Sequence, residues 1–296
     1  MNRRGRTIAI AFGVTAGVLV LFFLAVWALI SLIEGSGFPG GQKLAVVELG
    51  GVILDSEPVV RELRGHAEDS AVRAVVLRIN SPGGVVAPTQ EMYAAVLRLR
   101  QAGKPVVASL GAVAASGGYY VATAADRIYA SPGTLTGSIG VVMQLPNVEG
   151  LLKRIGIDYV VVKSGRYKDV GNFARTMSPE ERRILQALLD NVYDQFVEAV
   201  AEGRKMRKAK VLRFADGRIV SGQQAKELGM VDELGGLEEA IQGAAKLAGL
   251  GEKPTVIRPR RRFSLLDFLL NQLGLSGRPG LSLALPAMKT PLYLMD

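Results

Sequence analysis

The sequence predicts an α/β fold with a mostly parallel sheet, preceded by one transmembrane helix. Short apolar segments alternate with helical patterns along most of the 296 residues. The segments are apolar almost throughout, as strands buried on both faces are. One long uncharged segment near the N-terminus accounts for part of the 49% hydrophobic content. These observations favour βαβ units behind a membrane anchor.

The N-terminal segment has the features of an uncleaved membrane anchor. Residues 7–33 carry no charge, and at ~1.5 Å per residue a helix of this length crosses a hydrocarbon core of ~30 Å. Arg3, Arg4 and Arg6 precede it. By the positive-inside rule residues 1–6 are cytoplasmic, and the main domain lies outside the cytoplasm. A cleaved signal peptide is disfavoured because its apolar region is shorter, ~7–15 residues. We therefore expect a single-pass protein of the cell membrane.

The remaining chain divides into a linker, a main domain and a tail. Residues 34–42 form a Gly/Pro-rich linker, residues 43–250 the main domain and residues 251–296 a basic, amphipathic tail. Strands are predicted from apolar runs at 44–47, 74–79, 106–110, 127–130 and 159–162. Helices are predicted at 58–67, 89–101, 116–125, 149–155, 179–205, 221–228 and 237–248. The tail is expected to lie outside the core, and three alternatives stay open for it: packing on another subunit, packing on the membrane, or disorder.

The composition excludes several kinds of chemistry. The chain has no cysteine and one histidine, His66. Thiol catalysis, Cys-ligated metal sites and two-histidine zinc sites are therefore ruled out. The net charge is +9, but the excess positive charge lies at the two ends of the chain, which disfavours a nucleic-acid-binding core. We expect no metal, no cofactor and no nucleic-acid partner.

Two segments place uncovered backbone amides and a serine at the ends of predicted strands. Gly83 and Gly84 follow the strand at 74–79, and consecutive glycines leave their amides free to form an oxyanion hole. Ser116 follows the strand at 106–110, with Gly117 next to it at the start of a helix. Ser116 is therefore a candidate nucleophile. The alternative is that it only caps a closely packed helix.

A serine nucleophile needs a base, and histidine is a poor candidate here. His66 lies in a polar stretch that predicts an exposed turn. Lys163 and Lys168 lie in a loop after the strand predicted at 159–162. A lysine can act as a general base when desolvation lowers its pKa from ~10.4 towards about 7 to 8. Position alone leaves both lysines as candidates.

Four ordered motifs resemble those of the signal peptide peptidase A family. They are Ser-Pro-Gly-Gly at 81–84, Ala-Ala-Ser-Gly-Gly-Tyr-Tyr at 114–120, Leu-Thr-Gly-Ser-Ile-Gly-Val at 135–141 and Ser-Gly-x-x-Lys-Asp at 164–169. With a later segment at 217–232, the resemblance covers roughly residues 43–248. The family consists of Ser/Lys-dyad serine proteases. It shares the fold of the Clp protease and crotonase, built from repeated ββα and βαβ units.

The resemblance implies a role for each motif residue. Ser116 would be the nucleophile and Lys168, rather than Lys163, the general base. Ser138 would hydrogen-bond the lysine amine, and Gly117 with one of the two earlier glycines would form the oxyanion hole. It also implies that the substrates are remnant signal peptides and other hydrophobic peptides. Short members form homo-oligomeric rings, in which neighbouring protomers can complete each site.

Two other functions stay open at this point. A crotonase-like acyl-CoA enzyme would use the same glycines without a Ser/Lys pair, and a non-catalytic membrane scaffold would bind peptides through the same groove. The anchor and Lys168 disfavour the acyl-CoA enzyme. Loss of peptide cleavage in Ser116→Ala and in Lys168→Ala would exclude the scaffold.

Overall fold

The structure, a computed structural model, describes residues 17–26, 42–258 and 292–294. The chain divides into two compact units, Met1–Gly41 and Gln42–Asp296. In the first unit, residues 17–26 form helix α1. Among the residues that the structure describes, no helix combines the length and the apolar character needed to cross a membrane. The rest of the predicted anchor, nearly all of the linker and most of the tail lie outside the described residues.

The second unit carries the elements of the α/β fold. Its described strands are β1 (Lys43–Gly50), β2 (Val72–Ser81), β3 (Gly83–Val85), β4 (Val106–Ala115), β5 (Arg127–Ala130), β6 (Leu135–Gly137), β7 (Ile219–Ser221), β8 (Glu233–Leu234), β9 (Thr255–Ile257) and β10 (Leu292–Leu294). Its described helices are α2 (Glu57–Glu68), α3 (Val86–Gln101), α4 (Gly117–Ala122), α5 (Glu149–Arg154), α6 (Pro179–Gly203), α7 (Lys208–Val211), α8 (Gly222–Leu228) and α9 (Leu237–Leu247).

A mostly parallel sheet forms the centre of this unit. Within the described residues it has eight strands, in the order β7-β6-β4-β2-β1-β9 along the main path. Outside this path, β5 pairs with β4, and β8 pairs with β5. All of its pairings are parallel except β6 with β7. Strands β3 and β10 form a separate antiparallel pair. The predicted α/β class with a parallel sheet is thus confirmed.

Helices cover both faces of the sheet. Along β1, Ala45 and Val47 belong to the larger buried cluster, which includes residues of α2, α3, α4 and α6. Leu44 and Val46 belong to a second cluster with the apolar side of α9. Successive side chains of a strand point to opposite faces. The apolar strands of the sequence therefore match a sheet buried on both sides.

Strand β4 changes partners halfway along its length. Its first half pairs with β5 and its second half with β6, where Ala115 lies opposite Gly137. At the change, a Cβ on Gly111 would lie 2.9 Å from the Asn80 Oδ1. A larger residue at position 111 would crowd the Asn80 side chain and the Ile79 carbonyl, so β2 and β4 approach closely here. The change of partner brings the end of β4 beside β6, and Ser116 follows immediately.

The structure corrects two sequence interpretations. The strand predicted at 159–162 does not form, and these residues pair with no strand among the described residues. Val160 and Val162 are 81% and 96% exposed, because an apolar run forms a strand only where a sheet edge can pair with it. His66 does not lie in an exposed turn. It belongs to the last turn of α2, and its side chain is 18% exposed beside Glu62.

Candidate active site

Ser116 is buried at the end of β4 in a strained conformation. Its backbone has φ 52° and ψ −118°, and a residue other than glycine in such a region costs about 1–3 kcal/mol. Ser116 occupies the N-cap position of α4, yet its side chain makes no capping hydrogen bond. Its Oγ is buried with no hydrogen-bond partner in the described part of the chain. Capping therefore does not explain this serine, whereas a strained turn presenting an unpaired hydroxyl is typical of a nucleophile.

Three glycine backbones meet beside Ser116. A Cβ on Gly117 would lie 3.2 Å from the Gly83 Cα and 3.3 Å from the Gly84 nitrogen. It would also lie 2.9 Å from the Thr89 Oγ1, so a larger residue at position 117 would displace its surroundings. Gly117 is the first residue of α4, and the first amides of a helix have no partner within it. The predicted oxyanion glycines are therefore brought together by the fold.

Ile53 determines which backbone groups of strand β3 face towards it and which face away. The Ile53 amide donates to the Gly83 carbonyl (2.8 Å), and the Val85 amide donates to the Ile53 carbonyl (2.8 Å). The Gly83 amide donates to the Ser81 Oγ at 3.1 Å. Since alternate residues of a strand point their amides to opposite sides, the amide and carbonyl of Gly84 face away from Ile53. Gly84, rather than Gly83, is thus the better candidate for the oxyanion donor.

Close packing against Ile53 also explains the glycine at position 84. A Cβ there would lie 2.0 Å from the Ile53 carbonyl oxygen, which leaves no space for a side chain. Sequence reasoning missed Ile53, because one apolar residue between Val52 and Leu54 forms no motif. Thr89 was missed for a similar reason, as it lies on the inner face of α3 and is fully buried.

Ser138 lies beside Ser116 through the pairing of their strands. The Ser116 amide donates to the Gly137 carbonyl at 2.8 Å, so Ser138 follows β6 just as Ser116 follows β4. Ser138 also has a positive φ, 50°, and its amide donates to the Arg218 carbonyl at 2.8 Å. The described residues contain three positive-φ residues other than glycine. Two of them are the predicted nucleophile and the serine predicted to hold its base.

The loop that carries Lys163 and Lys168 is held by an ion-pair network around Asp169. Lys163 and Arg175 both pair with the Asp169 carboxylate, and Arg175 also donates to Glu181 at 2.9 Å. Hydrogen bonds from Arg175 and Lys163 hold the pKa of the Asp169 carboxyl well below its usual range. Arg175, together with the amide of Ser178, lowers the pKa of Glu181 to about 2.

The two lysines differ in their surroundings. The Lys163 amine is engaged by Asp169 and also donates to the Arg166 carbonyl at 3.0 Å. Lys168 is exposed, and within the described residues of this single chain no hydrogen bond joins it to Ser116. The structure therefore brings Ser116, Ser138 and the glycines together, and among the described residues no hydrogen bond connects the Lys168 amine with the Ser116 hydroxyl.

Other acidic residues of the motifs have structural roles. Asp126 accepts hydrogen bonds from the Val106 amide (2.8 Å) and from Arg100 (2.7 Å). Asp232 accepts from the Ile128 amide (2.8 Å) and from Arg204 (2.6 Å). These carboxylates fix the starts of β4 and β5 against neighbouring elements. Across the ranges that the structure describes, no group of histidine and acidic residues is arranged to hold a metal ion.

The arrangement around Ser116 defines the class of chemistry. A buried hydroxyl can attack a carbonyl, and glycine amides next to it can stabilise the resulting oxyanion, which is serine-dependent acyl transfer. The family model for peptidase family S49 matches residues 98–251, just over half of the chain. This range contains Ser116, Ser138 and Lys168. The chain belongs to peptidase family S49, the signal peptide peptidase A family, and is a serine protease.

Several proteins of similar sequence are named as proteases or peptidases. A putative protease from Synechocystis sp. is 44% identical over 248 residues, 79% of this chain and 89% of that protein. A putative signal peptide peptidase from Enterococcus faecium is 35% identical over 218 residues, 69% of this chain and 63% of that protein. Protease 4 from Salmonella typhi is 35% identical over 265 residues. That match covers 84% of this chain and 41% of the Salmonella protein, so this chain spans less than half of that relative.

Proposed function

We propose that this serine protease is a membrane-anchored endopeptidase with a Ser116/Lys168 dyad, which degrades remnant signal peptides and other hydrophobic peptides. The observation that carries the proposal is Ser116, whose backbone has a positive φ and whose buried hydroxyl has no hydrogen-bond partner among the described residues. The hydroxyl lies next to glycine residues whose backbone amides can donate hydrogen bonds to a developing oxyanion. The proposal requires no metal, cofactor or nucleic acid.

The mechanism follows from the roles of these groups. Lys168, in its neutral form, takes the proton of Ser116 while the Oγ attacks the peptide carbonyl. The amides of Gly84 and Gly117 stabilise the tetrahedral oxyanion. Lys168 then gives the proton to the leaving amine, and water hydrolyses the acyl-enzyme. Ser138 acts as the hydrogen-bond partner that orients the lysine amine.

The fold in its finer detail is proposed to be that of the Clp protease and crotonase. Two features support this. The parallel strands β1, β2 and β4 are joined through α2 and α3 as βαβ units. The nucleophile and the oxyanion glycines also lie at the ends of β4 and β2. In this arrangement the site is built at the carboxyl ends of neighbouring strands.

The site is proposed to be completed between protomers of a homo-oligomeric ring. A lysine can accept a proton only when it is neutral, which requires its removal from water. Lys168 is exposed in the single chain. The residues just before its loop form an exposed apolar segment, which comprises Ile157, Tyr159, Val160, Val161 and Val162. A second copy packed on this segment would bury apolar surface and cover Lys168 in the same step.

Membrane anchoring and substrate choice rest on the sequence. The uncharged stretch at 7–33 follows three arginines, which supports a cytoplasmic N-terminus and a protease domain outside the cytoplasm. A domain tethered beside the bilayer meets peptides that leave the membrane. The designation of the Enterococcus faecium relative as a putative signal peptide peptidase agrees with this substrate class.

Conservative lysine variants test the dyad. Arginine keeps the positive charge but cannot act as a base at neutral pH, and at position 163 it can still pair with Asp169. We expect Lys168→Arg and Ser116→Ala to abolish cleavage of a hydrophobic peptide by the full-length chain in detergent. Lys163→Arg should keep most of the activity. Loss of activity in Lys163→Arg alone would reassign the base, and full activity in Ser116→Ala would refute the nucleophile.

The same assay addresses the two other functions considered from the sequence. Membership of the peptidase family argues against an acyl-CoA enzyme, and hydrolysis of an acyl-CoA thioester that depends on Ser116 would revive it. Peptide binding without any cleavage by the wild-type chain would favour the scaffold.

A further inference from the structure

A tight turn at residues 216–218 lies directly against Ser138. The Ser138 amide donates to the Arg218 carbonyl at 2.8 Å. One residue further along, the Ile139 carbonyl accepts a hydrogen bond from the Gly217 amide at 3.1 Å. The two hydrogen bonds continue the antiparallel pairing of β6 with β7. The turn therefore holds the backbone on both sides of the Ser138 side chain.

Ser138 needs this support because its backbone is strained. Its φ is 50°, and a residue with a Cβ keeps such a conformation only where the surrounding structure holds it there. The preceding residue, Gly137, is also packed closely against the turn. A Cβ on Gly137 would lie 2.9 Å from the Arg218 carbonyl oxygen. The conformation of Ser138 thus depends on where the turn places this carbonyl.

The Asp216 side chain fixes the shape of the turn. Its Oδ1 accepts the Arg218 amide at 3.2 Å, which is the hydrogen bond of an Asx turn. Gly217 lies between them with φ 88°, a conformation that suits glycine. The Asp216 carboxylate also accepts hydrogen bonds from the Arg218 guanidinium, with the Nε at 2.8 and 2.9 Å from its two oxygens. Since this ion pair is largely exposed and exposed pairs add little to overall stability, the main effect of Asp216 is on the local conformation.

We propose that Asp216 is a positioning residue for the reaction: its side-chain oxygen holds the turn at 216–218, and the turn holds Ser138 where it can orient the lysine base. The inference rests on the proposed function in one respect, namely that Ser138 orients Lys168. Asp216 acts through Ser138 and not on the substrate. Its loss therefore slows the chemical step and leaves peptide binding unchanged, so that kcat falls at a constant KM.

Two substitutions at position 216 separate the hydrogen bond of the turn from the ion pair. Asp216→Asn keeps an acceptor oxygen for the Arg218 amide and loses the charge, whereas Asp216→Ala loses both. The assay is cleavage of a hydrophobic peptide by the full-length chain in detergent. We expect Asp216→Ala to lower kcat about tenfold or more at an unchanged KM, and Asp216→Asn to keep about half of kcat or more.

Asp69→Ala is the matched control for the loss of the turn hydrogen bond. The Asp69 Oδ1 accepts the Ala71 amide at 2.9 Å, which is the same arrangement over two residues. It lies just before the start of β2, whereas the oxyanion glycines follow the end of that strand. Asp69→Ala should therefore leave kcat unchanged.

A pair of glycine variants alters the turn without changing Asp216. Gly217 and Gly249 both have a positive φ, 88° and 66°, and a Cβ on either would meet no heavy atom within 4 Å. Alanine is thus strained by its backbone alone at both positions, and the two melting temperatures should fall by similar amounts. We expect Gly217→Ala to lower kcat and Gly249→Ala to leave it unchanged. Unchanged kcat in Gly217→Ala would contradict the role of the turn.

A double-mutant cycle shows whether Asp216 acts through Ser138. Ser138→Ala should lower kcat by itself, and adding Asp216→Ala should lower it little further, because the residue that the turn positions has already been removed. The proposal is overturned if Asp216→Ala leaves kcat unchanged, if Asp216→Asn is as impaired as Asp216→Ala, or if the effects of the two alanine substitutions multiply. Full activity in Ser138→Ala would overturn both this proposal and the role proposed for Ser138 in orienting the lysine. Loss of activity in Ser138→Ala with full activity in Asp216→Ala would overturn only the role of Asp216.

Discussion

Replacing the candidate nucleophile should stabilise the protein while it abolishes activity. The Ser116 hydroxyl is buried without a hydrogen bond in the described residues, and an unpaired buried hydroxyl costs about 1–3 kcal/mol. Ser116→Ala removes this cost and leaves the packing almost unchanged. We therefore expect the free energy of unfolding to rise by about 1–2 kcal/mol, which raises the melting temperature by about 2–8 °C for a domain of this size.

A glycine at the same position should stabilise further. The backbone of Ser116, at φ 52° and ψ −118°, is strained by about 1–3 kcal/mol for any residue with a Cβ. Glycine relieves that strain, but its unfolded chain is more flexible, which offsets about 0.5–1 kcal/mol. The expected order of stability is Ser116→Gly above Ser116→Ala above the wild-type chain.

Ser109→Ala is the matched control for this series. Ser109 is also fully buried, but its Oγ accepts a hydrogen bond from Arg78 at 2.9 Å. Its loss should lower the free energy of unfolding by about 1 kcal/mol or more. Thermal and urea unfolding, followed by circular dichroism on the full chain in detergent, measure all four proteins. If Ser116→Ala is destabilised as much as Ser109→Ala, the Ser116 hydroxyl is not an unpaired, strained group and the argument for its role fails.

Three further outcomes are expected. Gly84→Ala should lower the melting temperature and abolish cleavage, because its Cβ would lie 2.0 Å from the Ile53 carbonyl oxygen. Gly133→Ala, at a position with open space around it, should change neither. Equal melting temperatures of the two variants would contradict the close packing of Gly84 against Ile53. The Glu181 pKa is lowered to about 2, so the stability that the ionised carboxylate contributes is present above its unfolded pKa and is lost as the pH falls towards 2. The free energy of unfolding, measured from pH 5 to pH 2, should therefore depend less on pH in Glu181→Gln than in the wild-type chain. An unchanged pH dependence would show that this carboxylate is not coupled to folding. Under the proposed association through residues 157–162, Val162→Asp, at a side chain that is 96% exposed, should reduce both the particle mass measured by light scattering and the cleavage rate. An unchanged mass would contradict the proposed interface.

Local signals in the sequence identified the regular elements well. Helix α6 begins at Pro179 as predicted, because Ser178 and Glu181 form a capping box that can be read from four consecutive residues. Strand β5 also has the predicted bounds. The short strands β3 and β6 were missed, since each has three residues and contains glycine. Such segments become strands only through the partners that the fold supplies.

The sequence predicted which residues form the candidate site better than it predicted how they are arranged. Spacing and resemblance singled out Ser116 and the glycines, but the choice between Gly83 and Gly84 depends on Ile53, which is distant in sequence and carries no motif. The strand predicted at 159–162 was wrong for a related reason, because the sequence did not reveal that no partner strand lies next to it. Its apolar residues are those of a strand, yet periodicity does not say which surface will cover them.

The shortness of β3 has a consequence for solubility. An enzyme that accepts extended peptides must keep a sheet edge open, and an open edge is also a template for pairing between molecules and for aggregation. Here the edge is limited to Gly83–Val85, and the three residues of β10 already pair with it. The glycine that the packing against Ile53 demands also withholds the side-chain contacts that would strengthen such pairing. The shortness of β3, its glycines and its pairing with β10 thus protect the protein from self-association through that edge.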